Sequence, residues 1–110
     1  MAESAALKRV IITGGNGGIG YAMCKLLALN HGCYVYMGSR SLERGETALK
    51  ELIEAEPNCA GKIEVVQVDV CDAASITACA AALKEKLGDE KLYALVNNAG
   101  TVQGMGGCSR

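Results

Sequence analysis

The sequence predicts an α/β fold, a doubly wound parallel sheet of four strands in the order 3-2-1-4, and three observations lead to it. The apolar run Val10-Ile11-Ile12 passes directly into Thr13-Gly14-Gly15-Asn16-Gly17-Gly18-Ile19-Gly20 and then into a helical pattern. A strand entering a glycine cluster that opens a helix is how doubly wound proteins build an anion pocket. Short apolar runs then alternate with amphipathic stripes along the chain. The later runs also end in polar or small residues, Ser39-Arg40, Asp69-Val70 and Asn97-Asn98-Ala99-Gly100, where such sheets bind ligands.

The first strand, 9–13, is a continuous apolar run of the kind buried on both faces. Each glycine after it has a physical task. Gly14 permits the tight turn, Gly18 lets backbone approach a phosphate, and Gly20 lets the helix pack closely on the sheet. The helix start then offers unpaired N–H groups and a positive dipole end. Ile19, Ala22, Met23, Leu26 and Leu27 fall at helical spacing and predict its buried stripe. Asn30-His31-Gly32 ends this helix, with Gly32 suited to the left-handed C-terminal position.

Residues 33–38 read as the second strand. Ser41 caps the second helix, with Leu42, Leu49, Leu52 and Ile53 expected inside and Pro57 beyond its end. The β-branched run 62–70 is the third strand. Asp72 caps the third helix, with Ile76, Cys79, Ala80, Leu83 and Leu87 expected inward. Gly88-Asp89 turns into the fourth strand, 92–96. Right-handed crossovers place the first two connecting helices on one face and the third alone on the other. Strand 4, with Tyr93-Ala94-Leu95-Val96, is then an uncovered edge. It predicts marginal stability and self-association, or pairing with a full-length relative through the open edge.

A chain of 110 residues is one small domain at most. Phe and Trp are absent, so the core must come from Val, Ile, Leu, Ala, Met and Cys. Eleven basic against twelve acidic residues leave no field to attract nucleic acid or an anionic membrane. Ala5-Ala6-Leu7 is too short for a signal-peptide core, and no run reaches the ~18 apolar residues of a membrane span, so a cytoplasmic protein is expected. The six cysteines form no Cys-x-x-Cys pair and His31 is the one histidine, so no metal site is expected and the thiols are expected free.

The strand ends carry the site. Arg40, with Ser39 before it, stands ~20 residues after Gly20, where an NAD-preferring fold usually places an acid. Ser39-Arg40 offers instead a hydroxyl and a planar guanidinium, whose fork suits a ribose 2′-phosphate. Asp69, at the close of strand 3, can accept a hydrogen bond from an adenine amine. Asn97-Asn98-Ala99-Gly100, at the close of strand 4, lets backbone approach a nucleoside while its amides tie neighbouring strands.

Thr13-Gly14-x-x-x-Gly18-Ile19-Gly20 followed by Asn97-Asn98-Ala99-Gly100 resembles the short-chain dehydrogenase/reductase family, over residues from about 8 to 100. The stretch Gly38-Ser39-Arg40-Ser41-Leu42-Glu43-Arg44-Gly45 looks most like the NADPH-dependent carbonyl reductases. The resemblance implies a Rossmann-like fold and NADP binding by Gly14, Asn16, Gly18, Ile19, Arg40, Asp69, Val70, Asn97, Ala99 and Gly100. Gly20 and Ser39 join that set from the residue reading above. Residues 1–100 would form the NADP-binding half-domain and 101–110 a Gly-rich flexible tail. One position departs from the pattern: many carbonyl reductases carry a basic residue where Gly17 stands, so one charge toward a 2′-phosphate is missing.

The family's catalysis implies a serine that polarises a carbonyl and a tyrosine acid tuned by a lysine one helical turn on. These follow the Asn-Asn-Ala-Gly strand in the family, whereas the ten residues after Gly100 include Ser109 but neither Tyr nor Lys. Tyr21-Ala22-Met23-Cys24-Lys25 spells Tyr-x-x-x-Lys, yet it lies on the helix right after the phosphate loop, the wrong end of the cofactor. The expectation is therefore a truncated oxidoreductase with no catalytic residue of its own. A stand-alone nucleotide-binding or interaction module, or a gene fragment without function, is the alternative.

Overall fold

A computed structural model of the chain describes residues 8–88 and 92–96. Its elements run β1 (Lys8–Ile12), α1 (Gly18–Asn30), β2 (Cys33–Ser39), α2 (Leu42–Ala55), a short 3-10 turn (Pro57–Cys59), β3 (Ile63–Gln67), α3 (Ala73–Leu87) and β4 (Leu92–Val96). The four strands form one parallel sheet in the order β3-β2-β1-β4, as the alternation of elements predicts. Val10 lies opposite Val35 and Ala94, and Val35 opposite Ile63, so side chains in one row share a face.

The two faces are covered unequally. On one, Val10, Ile12, Val35, Met37, Ile63 and Val65 pack under α1 and α2 through Cys24, Ala28, Ala48 and Leu52. On the other, Ile11, Tyr36, Val66 and Val68 meet α3 through Cys79 and Leu83. Among the described residues β4 pairs only with β1, and Tyr93 and Leu95 stay 65% and 61% exposed. The uncovered edge expected at strand 4 is present in this form.

Helix ends follow local chemistry. Ser41 Oγ accepts the Arg44 N–H at 3.2 Å to start α2, and Asp72 Oδ1 accepts the Ala74 N–H at 3.0 Å to start α3. Gly32 takes the left-handed backbone (φ +62°) after α1. The helix faces differ from the expected stripes. α1 buries Gly20, Cys24 and Ala28, not Ile19, Ala22 and Leu26, although Met23 and Leu27 do touch the core. Small residues at i, i+4 and i+8 let the helix axis settle close to the sheet, which turns the larger ones outward. Likewise Leu42, Ile76 and Ala80 are exposed, while Gly45, Ala48 and Leu52 face the sheet from α2 and Cys79 and Leu83 from α3.

β3 ends at Gln67 and not at Val70: the Val68 N–H still donates to the Ser39 carbonyl at 2.9 Å, and the chain then turns, with the Asp69 carbonyl accepting the Asp72 N–H at 3.0 Å. The thiols of Cys24, Cys33, Cys59 and Cys79 are free and buried, as expected. Cys71 departs from that expectation: it is disulfide-bonded, on the half-buried loop outside the two cores that enclose the others. Cys108 lies outside the described residues. No helix among the described residues is long and apolar enough to cross a membrane, and no group of His, Cys, Asp and Glu among them could hold a metal ion.

At the N-terminal end of the sheet a polar chain fastens α3 to the strands. Tyr34 donates to Glu64 Oε1 at 2.9 Å, and Lys86 of α3 pairs with the other Glu64 oxygen. Burial first, then the hydrogen bond to Glu64, pushes the Tyr34 phenol up to about 12. An unfolded tyrosine releases its proton near pH ~10, so only the unfolded chain gains by ionising between that value and the folded one. Stability is therefore expected to fall as pH rises from about 10 to about 12. Urea unfolding across that window checks it, with Tyr34→Phe expected to flatten the slope.

Candidate functional site

The carboxyl ends of β1, β2 and β3 converge on one corner, and the loop after β1 forms its floor. Thr13 closes the strand: its N–H and hydroxyl both reach the Val96 carbonyl, at 3.0 and 3.4 Å, and so join the ends of β1 and β4. Gly14 and Gly18 then take left-handed backbone, φ +65° and +56°, which side chains disfavour. Gly15 donates to the Gly38 carbonyl at 2.8 Å. A Cβ on Gly15 would stand 3.0 Å from both Cys24 Sγ and Met37 Cγ, so the underside of the loop is filled.

Its upper side is open. Nothing lies within 4 Å of where a Cβ would stand on Gly17 or Gly18. Gly17 is the N-cap of α1 and has extended backbone, with no side chain capping the helix and no acid in its first turn. The N–H groups that begin a helix therefore face open space with a positive dipole behind them. Asn16 is half-buried beside this opening, Ile19 is 69% exposed, and Gly20 is buried against the sheet.

The second wall comes from the ends of β2 and β3. Ser39 is buried, and its hydroxyl donates to the Ser41 carbonyl at 2.7 Å, which shapes the corner into α2. The next side chain, Arg40, is 71% exposed; its Nε lies 3.9 Å from Asp69 Oδ2, and Gln67 donates to its carbonyl at 3.3 Å. Asp69 Oδ1 also accepts the Cys71 N–H at 3.0 Å. Val70 packs inward against the α3-side core. Arg40, Gln67, Asp69 and Ser75 share the lining of an open groove of about 640 Å³ running between β3 and α3. Asn97, Ala99 and Gly100 lie outside the described residues.

The sequence profile of the short chain dehydrogenase family matches residues 8–109. The chain belongs to that family. It is 41% identical over 97 residues to the short-chain dehydrogenase/reductase drtF of Aspergillus calidoustus, covering 88% of this chain and 29% of that protein. It is 40% identical over 90 residues to (-)-isopiperitenone reductase of Mentha piperita, covering 82% of this chain and 28% of that one. Among solved structures, menthone neomenthol reductase from Mentha piperita superposes with a TM-score of 0.75 at 38% identity, over 87% of this chain and 32% of that one. NADPH-bound carbonyl reductase from chicken fatty liver gives 0.69 at 35% identity, over 86% and 35%. The chain thus spans about a third of the length of these relatives.

The Tyr-x-x-x-Lys spelling on α1 has the wrong surroundings for an acid. Tyr21 packs against the core beneath α1 and α2. Burial first, then Glu51 and Cys59, push its phenol above the ordinary value, opposite to what a lysine-tuned tyrosine acid needs. Three contributors escaped the sequence reading: Gly38, whose carbonyl fastens the glycine loop, Gln67 and Ser75. Only Ser75 left a signal, its place three residues after the cap Asp72, where helix-start side chains bond to backbone.

Proposed function

We propose that this chain is the NADP(H)-binding part of a carbonyl reductase-like oxidoreductase and prefers NADPH to NADH. The observation that carries the reading is Arg40: an exposed guanidinium at the end of β2, where an acid would select NAD, beside a glycine loop whose upper side is open. The residues present fit the cofactor. Gly14, Asn16, Gly18, Ile19 and Gly20 present backbone and the start of α1 to a pyrophosphate, and a side chain on Gly18 would intrude on that space. Arg40 pairs with a ribose 2′-phosphate, on a corner shaped by Ser39. Asp69 and Val70 border the adenine, and Asn97, Ala99 and Gly100, outside the described residues, are assigned to the nucleoside from the sequence alone. When bound, NADPH supplies the hydride for reduction of a carbonyl.

No residue of 1–110 is assigned a catalytic role, so this chain by itself reduces no carbonyl. Hydride transfer needs a proton donor within ~3 Å of the carbonyl oxygen, and Tyr21 is half-buried against the core beneath α1 and α2. Isothermal titration of the full chain with NADPH and with NADH tests the binding, and NADPH oxidation with quinones, aldehydes and ketones tests the chemistry. NADPH binding tighter than NADH binding, without turnover, is expected. Equal affinity for the two would overturn the role of Arg40. Turnover lost in Tyr21→Phe would overturn the reading of α1.

A further inference from the structure

The turn between β3 and α3 is tied together from both sides of Asp69. Its backbone N–H donates to Ser75 Oγ at 2.8 Å, its carbonyl accepts the Asp72 N–H at 3.0 Å, and its Oδ1 accepts the Cys71 N–H at 3.0 Å. Ser75 is the third residue of α3 and is half-buried. A side chain there ordinarily reaches back to the N–H of the cap residue, but the Asp72 N–H is already donated to the Asp69 carbonyl. The Ser75 hydroxyl instead reaches back out of the helix to the end of the preceding strand.

We propose that Ser75 is a positioning residue for the 2′-phosphate end of the site, fixing the Asp69 backbone so that the Asp69 carboxylate aims Arg40. The inference rests on the NADP reading above. Asp69 Oδ2 faces Arg40 at Nε, the inner nitrogen of the guanidinium, at 3.9 Å. Contact at Nε leaves the two terminal nitrogens to form the fork that grips a phosphate. Arg40 is an exposed, many-rotamer side chain, and ordering it ahead of binding lowers the entropy lost on binding. Without the Ser75 acceptor, the Asp69 N–H is released from α3 and the carboxylate loses its register against Arg40. Arg40, Asp69 and Ser75 line one groove, so the relay is contiguous.

The test is titration of the full chain with adenosine 2′,5′-bisphosphate and with AMP, two nucleotides that differ only in the 2′-phosphate. Ser75→Ala is expected to weaken binding of the bisphosphate about tenfold and of AMP about twofold or less, the size of one lost hydrogen bond to an aligned charged pair. Ser75→Thr, which keeps the hydroxyl, is expected to restore the native ratio. Ser75→Cys keeps the volume with a weak sulfur acceptor and should fall between the two, so the question stays answerable if the alanine variant unfolds. Equal loss for both nucleotides, or a lower melting temperature with an unchanged ratio, would overturn the proposal by making Ser75 merely structural. The native chain's own preference for the bisphosphate reports separately on the NADP reading: without it both readings fall, and with it only the variants judge Ser75.

Discussion

Replacing Arg40 with glutamate is expected to weaken NADPH binding about a hundredfold and to leave NADH as the preferred cofactor. A hydrogen-bonded charge pair contributes ~1.5–3 kcal/mol, and each ~1.4 kcal/mol is a factor of ten. Reversal costs more than deletion, because the introduced carboxylate would meet both the 2′-phosphate and Asp69, whose own carboxylate lies 3.9 Å from Arg40 Nε. An acid at this strand end also accepts hydrogen bonds from the ribose hydroxyls, so NADH binding should hold or improve. Gly17 offers no second cation on the loop, so little compensates for the loss. Because the pair is exposed, the penalty should shrink as salt is raised. Titration of both cofactors at low and high ionic strength checks each part, and an unchanged NADPH affinity would remove Arg40 from the site.

The second large effect is expected inside α2. Gly45 lies on the helix face against the sheet, and a Cβ there would stand 2.6 Å from Val65 Cγ1 and 3.0 Å from Ser39 Cβ. Val65 is itself buried and held in the β2–β3 ladder, so the helix must lift instead. Alanine regains ~1 kcal/mol of helix propensity against ~1–3 kcal/mol of overpacking, a net loss of about 1 kcal/mol. Valine adds two more methyl groups and no propensity, and Gly45→Val should cost about 3 kcal/mol. Domains of this size hold only ~5–15 kcal/mol in all. A urea melt reads the change, and a valine variant as stable as the native chain would mean that α2 sits farther from the sheet.

The strand order was legible because each strand announces itself as an apolar run and each crossover as a helix with its cap. Ser41 and Asp72 were readable as caps since their hydrogen bonds span two or three residues. The helix faces were misread where small residues do the packing. Hydropathy ranks Ile19 and Leu26 above Gly20, Cys24 and Ala28, but the distance between helix and sheet favours the latter. At the site, Arg40 and the loop glycines were picked out by a spacing along one segment; Arg40 is exposed and the upper side of the loop is open. Ser75, Gln67 and Gly38 act through bonds between segments, which spacing does not encode. Ser39 shows the same limit, since its burial and its bond to Ser41 depend on how α2 docks.

The bond from Thr13 to Val96 joins residues 83 positions apart, while the glycine loop, Arg40 and Asp69 come from neighbouring units. Closing a long loop is entropically slow compared with pairing adjacent strands. During synthesis the chain therefore has β1, α1, β2, α2 and β3 in hand, with the glycine loop and Arg40, before β4 leaves the ribosome. The nascent β1 meanwhile has one flank unzipped and waiting for β4. A nucleotide captured at that moment would act as a template, holding the corner in shape until β4 closes beside it.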